Sequence, residues 1–270
     1  MISELPEQQI ISAQIKKSYI PKSEITMEVH HHPELHHKPK PWKEYVFEYI
    51  MIFLAVLTGF FAESLREYIG DKEKEKDYIV SLVADLKADI KNADEAISGS
   101  KASALLLDSM FNALNDPVEI KKQGGLIYYA GRLGPRIETY VNNQRTFDQL
   151  NTGGFRLIKD IEISNRILDY YSLFPRLRLL ENGALREFEH YQVFASGILD
   201  PLIFHQQETV DGKITRGNDN PPLLTYDEKL VKQFSLYIVY VNGSRRSIIS
   251  VLETIKKNSG ELIDFLQSKY

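Results

Sequence analysis

The sequence predicts an all-α protein in which one N-terminal transmembrane helix continues into an exported helical bundle. The first observation behind this is an apolar run over residues 45–62, with Glu48 as its only charge. The second is a pair of long segments, residues 79–97 and 234–266. Their seam positions alternate at spacings of four and three, as in a helix packing along one narrow stripe. The third is that no other stretch shows the two-residue alternation of a half-buried strand. The chain then divides into a tail over residues 1–41, a membrane helix over 42–67 and a helical extracytoplasmic domain over 68–270.

Residues 1–41 are polar and carry Pro6, Pro21, Pro33, Pro39 and Pro41, so they read as a flexible tail. Only the patch at Ile10, Ile11 and Ile15 hints at a transient helix. In the span that follows, eighteen residues at roughly 1.5 Å each cover about 27 Å, close to a thin hydrocarbon core. Glu48 lies one turn inside the N-terminal edge, where its carboxylate can reach the headgroups. Trp42, Tyr45 and Tyr49 sit at that edge as interfacial aromatics do, and Phe60 and Phe61 crowd the other end. A helix buried in a globular core is the alternative, because the strictly uncharged part covers only residues 49–62. The aromatics and charges that bracket the run favour the membrane. Phe60 stands where cleavage before Glu63 would want a small residue, so the segment reads as an uncleaved signal-anchor. Lys38, Lys40 and Lys43 flank the entry closely, against Arg66 on the exit side, which favours a cytoplasmic N-terminus. Lys72, Lys74 and Lys76 narrow that asymmetry in a wider window.

No proline interrupts residues 43–97, so the span is expected to run straight into the domain. The seam there is Ile79, Val83, Leu86, Ile90, Ala93 and Ile97. Lys72 and Lys76 continue its spacing outward, so packing is expected to begin near Ile79. The alternating acids and bases of residues 71–77 read as a solvated stalk. Further helices are expected over residues 101–114, 125–133, 143–151 and 160–173, the last with Asp160 as N-cap and Glu162 in its first turn. Pro175 sits at a helix-initiating position for another, ending near Phe194. Residues 205–222 hold Asp211-Gly212, Gly217-Asn218 and Pro221-Pro222 and form the one long loop, with room for a small hairpin about Asp211-Gly212. The final seam is Phe234, Ile238, Val241, Arg245, Ile248, Leu252, Ile255, Ser259, Leu262 and Leu266, with Asn242-Gly243 as a kink or break. The two seams are expected to pack on each other inside one bundle. A parallel coiled coil between subunits, giving a homo-oligomer, is the alternative.

Residues 146–171 read Thr-Phe-Asp-Gln-Leu-Asn-Thr-Gly-Gly-Phe-Arg-Leu-Ile-Lys-Asp, then Ile-Glu-Ile-Ser-Asn-Arg-Ile-Leu-Asp-Tyr-Tyr. With His30-His31-His32-Pro33 leading to Lys43-Glu44-Tyr45, and Phe60-Phe61-Ala62-Glu63-Ser64-Leu65-Arg66-Glu67 at the exit, the chain resembles an uncharacterised group of single-span membrane proteins from Bacteroidota. The resemblance covers about half the chain. It implies an inner-membrane protein with a periplasmic helical domain, and it brings no activity or site residues.

Candidate chemistry is sparse. Five of the seven histidines cluster as His30, His31, His32, His36 and His37, and imidazoles that dense can chelate Zn²⁺, Ni²⁺ or Cu²⁺. Because no geometry is preorganised, a weakly basic tail on anionic headgroups is the favoured role, so no metal is assigned. One carboxylate, Glu48, in one span with no second polar residue beyond Thr58 makes a poor ion path. Gly124-Gly125 and Gly153-Gly154 lack the strand and the Gly-Lys-Ser/Thr of a phosphate loop, and Gly153-Gly154 reads as a helix corner needing positive φ. His190 and His205 default to packing or capping. The tyrosines are expected at core edges, with an aromatic-lined pocket as the alternative. A net charge of −4 and the lack of a basic stripe argue against nucleic acid. The absence of cysteine removes disulfides, thiolate metal sites and cysteine nucleophiles. The expected function is a membrane-anchored helical scaffold or protein-interaction module of the cell envelope. Its expected partners are the bilayer and an envelope protein, with no cofactor and no catalysis. The alternative is an envelope sensor or ligand-binding module with a small-molecule pocket in the bundle.

Overall fold

The computed structural model describes residues 41–217 and 219–270; the histidine tract lies outside them. The described residues are all-α, with an isolated bridge between Glu208 and Ile214 and no strand. They fall into two units, one ending at Gly59 and the other covering Phe60–Tyr270. The described part of the first unit is the opening of α1 (Trp42–Asn115), in which every side chain is exposed. The apolar 18-residue window that makes this helix long enough to cross a membrane is 0% buried, unlike a core helix.

The second unit is built on three long helices. The rest of α1 is joined by α6 (Leu173–Ala195) and α8 (Glu228–Lys269). Short elements close the ends: α2 (Glu119–Lys122), α3 (Gly124–Leu133), α4 (Arg145–Asn151), a 3-10 turn (Gly154–Leu157), α5 (Ile161–Tyr171) and α7 (Pro201–Gln206). Helices α1 and α8 run antiparallel, as their cross-links record. Asp94 meets Lys256 at 2.6 Å, Lys101 meets Glu253 at 2.8 Å, Asp108 takes both Asn242 and Arg246, and Asn115 reaches Ser235. The two sequence seams therefore face each other within one chain. Two apolar clusters form along them. One holds Ile79–Ile97 positions of α1 with the first half of α6 and Ile248–Leu266 positions of α8. The other holds Leu107, Met110 and Leu114 with α3, the end of α6 and Val231–Val241 positions. Between them lies a polar belt of Ser100, Ser103, Asn242 and Arg245.

All ten predicted seam residues of α8 are buried, Arg245 and Ser259 included. The expected break at Asn242-Gly243 does not occur. Asn242 donates to Asp108 Oδ1 at 2.7 Å, and a Cβ on Gly243 would meet nothing within 4 Å, so neither residue disturbs the helix. The expected stop near Ile97 and restart at Lys101 are likewise replaced by one helix. Ser100, Ala104, Leu107 and Met110 carry the buried stripe onward without a competing cap, and Gly99 leaves room for Glu138 against the helix. On α1 the seam is rotated. Val83 and Ile90 are only half-buried, while Leu82, Asp85 and Asp89 occupy the centre. Nor are residues 71–77 wholly solvated, since Glu75 is 1% exposed.

The local signals otherwise read well. Asp160 accepts the Glu162 N–H at 2.8 Å as N-cap, Pro175 falls in the first turn of α6, and Gly153 has φ +135° at its corner. Thr209 and Lys213 close a small turn over Gly212, whose φ is +77°. Helices α2 and α7 were not expected. Asp200 caps α7 by accepting the Leu202 N–H at 2.8 Å, with Pro201 as its first residue.

Candidate functional site

The predicted membrane residues Trp42, Tyr45, Glu48, Tyr49, Phe60 and Phe61 are all exposed along α1, Trp42 at 71% and Phe61 at 68%. Tyr49 stacks on Phe53 at 6.5 Å, and Thr58 donates to the Leu54 carbonyl, which keeps its hydroxyl satisfied within the helix. Among the described residues, no group of three His, Asp or Glu side chains is arranged to hold a metal ion. His190 lies beside the Tyr237 ring at 6.1 Å, and His205 sits in the last turn of α7.

Sequence reasoning missed a buried acid stripe on α1. Asp89 is fully buried and accepts from Asn143 N at 2.7 Å, Asn143 Nδ2 at 3.0 Å and the Tyr170 hydroxyl at 2.8 Å. Asp85 Oδ2 accepts from the Thr146 hydroxyl at 2.6 Å and its N–H at 3.2 Å, capping α4 from another helix. Asn92 donates to the Val141 carbonyl at 2.9 Å. These three residues, one helical turn apart, bolt residues 141–146, the end of an irregular segment and the start of α4, to α1. Burial, foremost, pushes the Asp89 carboxyl above its ordinary value against the Asn143 and Tyr170 hydrogen bonds, and the neighbouring Asp85 adds to the rise. The Asp85 and Asp89 oxygens serve chain donors, so the pair is structural. Glu75 works the same way, accepting from Lys72 at 2.6 Å, Tyr270 at 2.6 Å and the Lys159 N–H.

Gly124 and Gly125 also have a structural task. A Cβ on Gly124 would lie 2.0 Å from the Pro221 carbonyl oxygen, and one on Gly125 would lie 2.6 Å from that of Asp219. Asn220 accepts the Gly124 N–H and donates to the Lys121 carbonyl, while Tyr128 donates to the Pro222 carbonyl. The loop is thereby seated on the start of α3.

One concave site of the second unit lies between the end of α3, the C-terminal half of α6 and α7. It is a cavity of about 390 Å³. Its floor is Gly131, Pro135, Tyr191, Ala195 and Leu199, all buried, and Phe188 and Phe204 form half-buried walls. Gly131 packs closely here, since a Cβ would meet Leu199 Cδ1 at 2.9 Å and push that side chain aside. The Tyr191 hydroxyl donates to the Gly131 carbonyl at 3.0 Å, and full burial pushes its pKa far up. Arg132 ties α3 to α7: its guanidinium donates to the Phe204 carbonyl, pairs with Glu208 and lies 6.0 Å from the Phe204 ring. Arg136, Gln192 and Ser196 form the exposed rim. Among the described residues no carboxylate pairs with the Arg136 guanidinium, whereas its carbonyl accepts from Arg245 at 2.6 Å. Arg245 itself is buried, which lowers its pKa to about 10, with Glu138 opposing the fall. The cavity can therefore hold an apolar group and offers donors at its mouth; it presents no nucleophile beside a base. The expected loop begins at residue 205, inside α7, and no helix is expected over residues 201–204, so the wall that α7 supplies is not foreseen.

A search of protein-family profiles, curated proteins and solved structures finds no match to this chain.

Proposed function

We propose that this chain is a membrane-anchored helical binding module of the cell envelope, acting by association and not by covalent chemistry. The observation that carries the reading is the 18-residue apolar window of α1 with none of it buried, a surface that water would penalise and lipid would cover. The lysine asymmetry around the span and the resemblance to Bacteroidota single-span proteins support an inner-membrane location with the domain in the periplasm. The test is expression of the full chain with a reporter after Tyr270. Extraction only by detergent, together with reporter activity outside the cytoplasm, is the expected result. Release by alkaline carbonate would end the anchoring argument, and a cytoplasmic reporter would end the orientation.

Within that role, two kinds of partner have support. Docking of an envelope protein is supported by exposed apolar side chains near the α6–α8 contact, where Phe194 stacks on Tyr237 at 4.2 Å and Val193 and Tyr240 remain exposed. Binding of a small molecule is supported by the cavity between α3, α6 and α7, which falls in the size range of ligand sites, roughly 300–1,000 Å³. The second reading has the stronger geometric support, because a concave, apolar site with polar groups on its rim fits an occupant better than scattered surface aromatics do.

A further inference from the structure

We propose that the cavity binds an amphipathic monoanion, an apolar ring system or short acyl chain bearing one carboxylate, with Arg136 pairing that carboxylate at the mouth. The inference rests on the ligand-binding reading above and adds the chemical class. The floor of Pro135, Tyr191, Ala195 and Leu199 and the walls of Phe188 and Phe204 offer no charged group to the interior, so the inserted part of the ligand is apolar. Two arginines lie at the site, and they do not count equally toward an anion. Arg132 is already committed to Glu208 and the Phe204 carbonyl, whereas the Arg136 guanidinium has no acid partner among the described residues. One uncompensated guanidinium matches one negative charge, and a planar carboxylate matches its fork of donors. Gln192, also on the rim, carries an amide donor. At about 390 Å³ the cavity is at the small end of ligand sites, which suits one ring system rather than a whole lipid.

The test uses the full chain in lipid nanodiscs, titrated calorimetrically with naphthalene-2-carboxylate and with naphthalene-2-carboxamide, its uncharged counterpart. The acid is expected to bind about tenfold more tightly than the amide, the effect of one charge-assisted pair. Arg136→Gln is expected to abolish that preference, and Arg136→Lys to keep part of it. Ala195→Phe fills the floor and is expected to block both ligands. Gln192→Trp, which plugs the mouth from an exposed position, replaces it if melting shows that the floor variant is unfolded. Equal binding of acid and amide that the plug still blocks would overturn the anion while leaving ligand binding intact. Binding untouched by the plug would overturn the site. Binding of neither ligand would overturn both this inference and the reading it rests on.

Discussion

Replacing Asp89 separates what its carboxylate does as an acceptor from what it costs as a buried charge. Asp89→Ala strands the Asn143 backbone N–H and the Tyr170 hydroxyl in the core, since both donate to it in the native protein. At ~1–3 kcal/mol for each stranded donor, less the relief of removing a buried acid, the loss comes to about 3 kcal/mol. Asp89→Asn keeps an oxygen for both Asn143 donors. The Tyr170 hydroxyl can then accept from the new amide and donate toward Ser259 Oγ, 3.0 Å away. Its cost at pH 7 should stay below about 1 kcal/mol. In domains of roughly 150–250 residues 1 kcal/mol moves the midpoint by about 2–4 °C, so the Ala variant should lose ~6–12 °C and the Asn variant less than ~4 °C. Thermal unfolding followed by circular dichroism reads both. The pH dependence adds a sign. Because the Asp89 pKa is raised above its ordinary 3.8, the native protein holds a proton that the unfolded chain has released. Stability from this group therefore falls as pH rises through that window, and Asp89→Asn lacks the fall. The Asn variant should gain on the wild type as pH increases from acid. Equal losses for the two variants at pH 7 would refute the acceptor argument, and a deficit of the Asn variant that shrinks toward low pH would refute the charge argument.

Two glycines should behave oppositely in the same melts. Gly124→Ala forces the Pro221 carbonyl away and should cost ~1–3 kcal/mol, whereas Gly243→Ala meets no neighbour and should gain up to about 1 kcal/mol from helix propensity. Tyr270→Phe removes a 2.6 Å hydrogen bond to Glu75 and should cost about 1 kcal/mol at pH 7 in urea unfolding. Burial raises the Glu75 pKa, but the bonds from Lys72, Tyr270 and Lys159 outweigh it and leave the pKa below 4.5. The stabilisation is thus complete above that value and is lost as pH falls through the lowered pKa, so the variant's deficit should shrink there. Trp42 is the single tryptophan of the chain, and in bilayers its emission should be quenched most strongly by bromine or nitroxide near the headgroups rather than at acyl-chain ends.

The parts of the fold governed by local chemistry were legible in the sequence. The α8 seam could be read residue by residue because burial there repeats at helical spacing, and Asp160, Pro175 and Gly153 act through their own backbones. What escaped was set by distant partners. Asp85, Asp89 and Glu75 look like solvent-facing charges until residues 140–160 and 270 arrive to donate to them. Gly99 and Gly124 look like breakers until Glu138 and Pro221 fill the space they leave. The cavity escaped for the same reason. Its lining comes from α3, α6 and α7, which are brought together by contacts such as that of Arg132 with Glu208, 76 residues apart in the chain.

The antiparallel pairing of α1 with α8 has a consequence for the order of assembly. The buried stripe of α1 is made early, yet the groups that cover it come last: Tyr270 meets Glu75 across 195 residues and Lys256 meets Asp94 across 162. Contacts this distant in sequence slow folding and leave apolar surface waiting. A nascent chain already held at the bilayer through its first apolar segment would carry that uncovered stripe until α8 was complete, the interval in which a chaperone or a neighbouring copy could intervene.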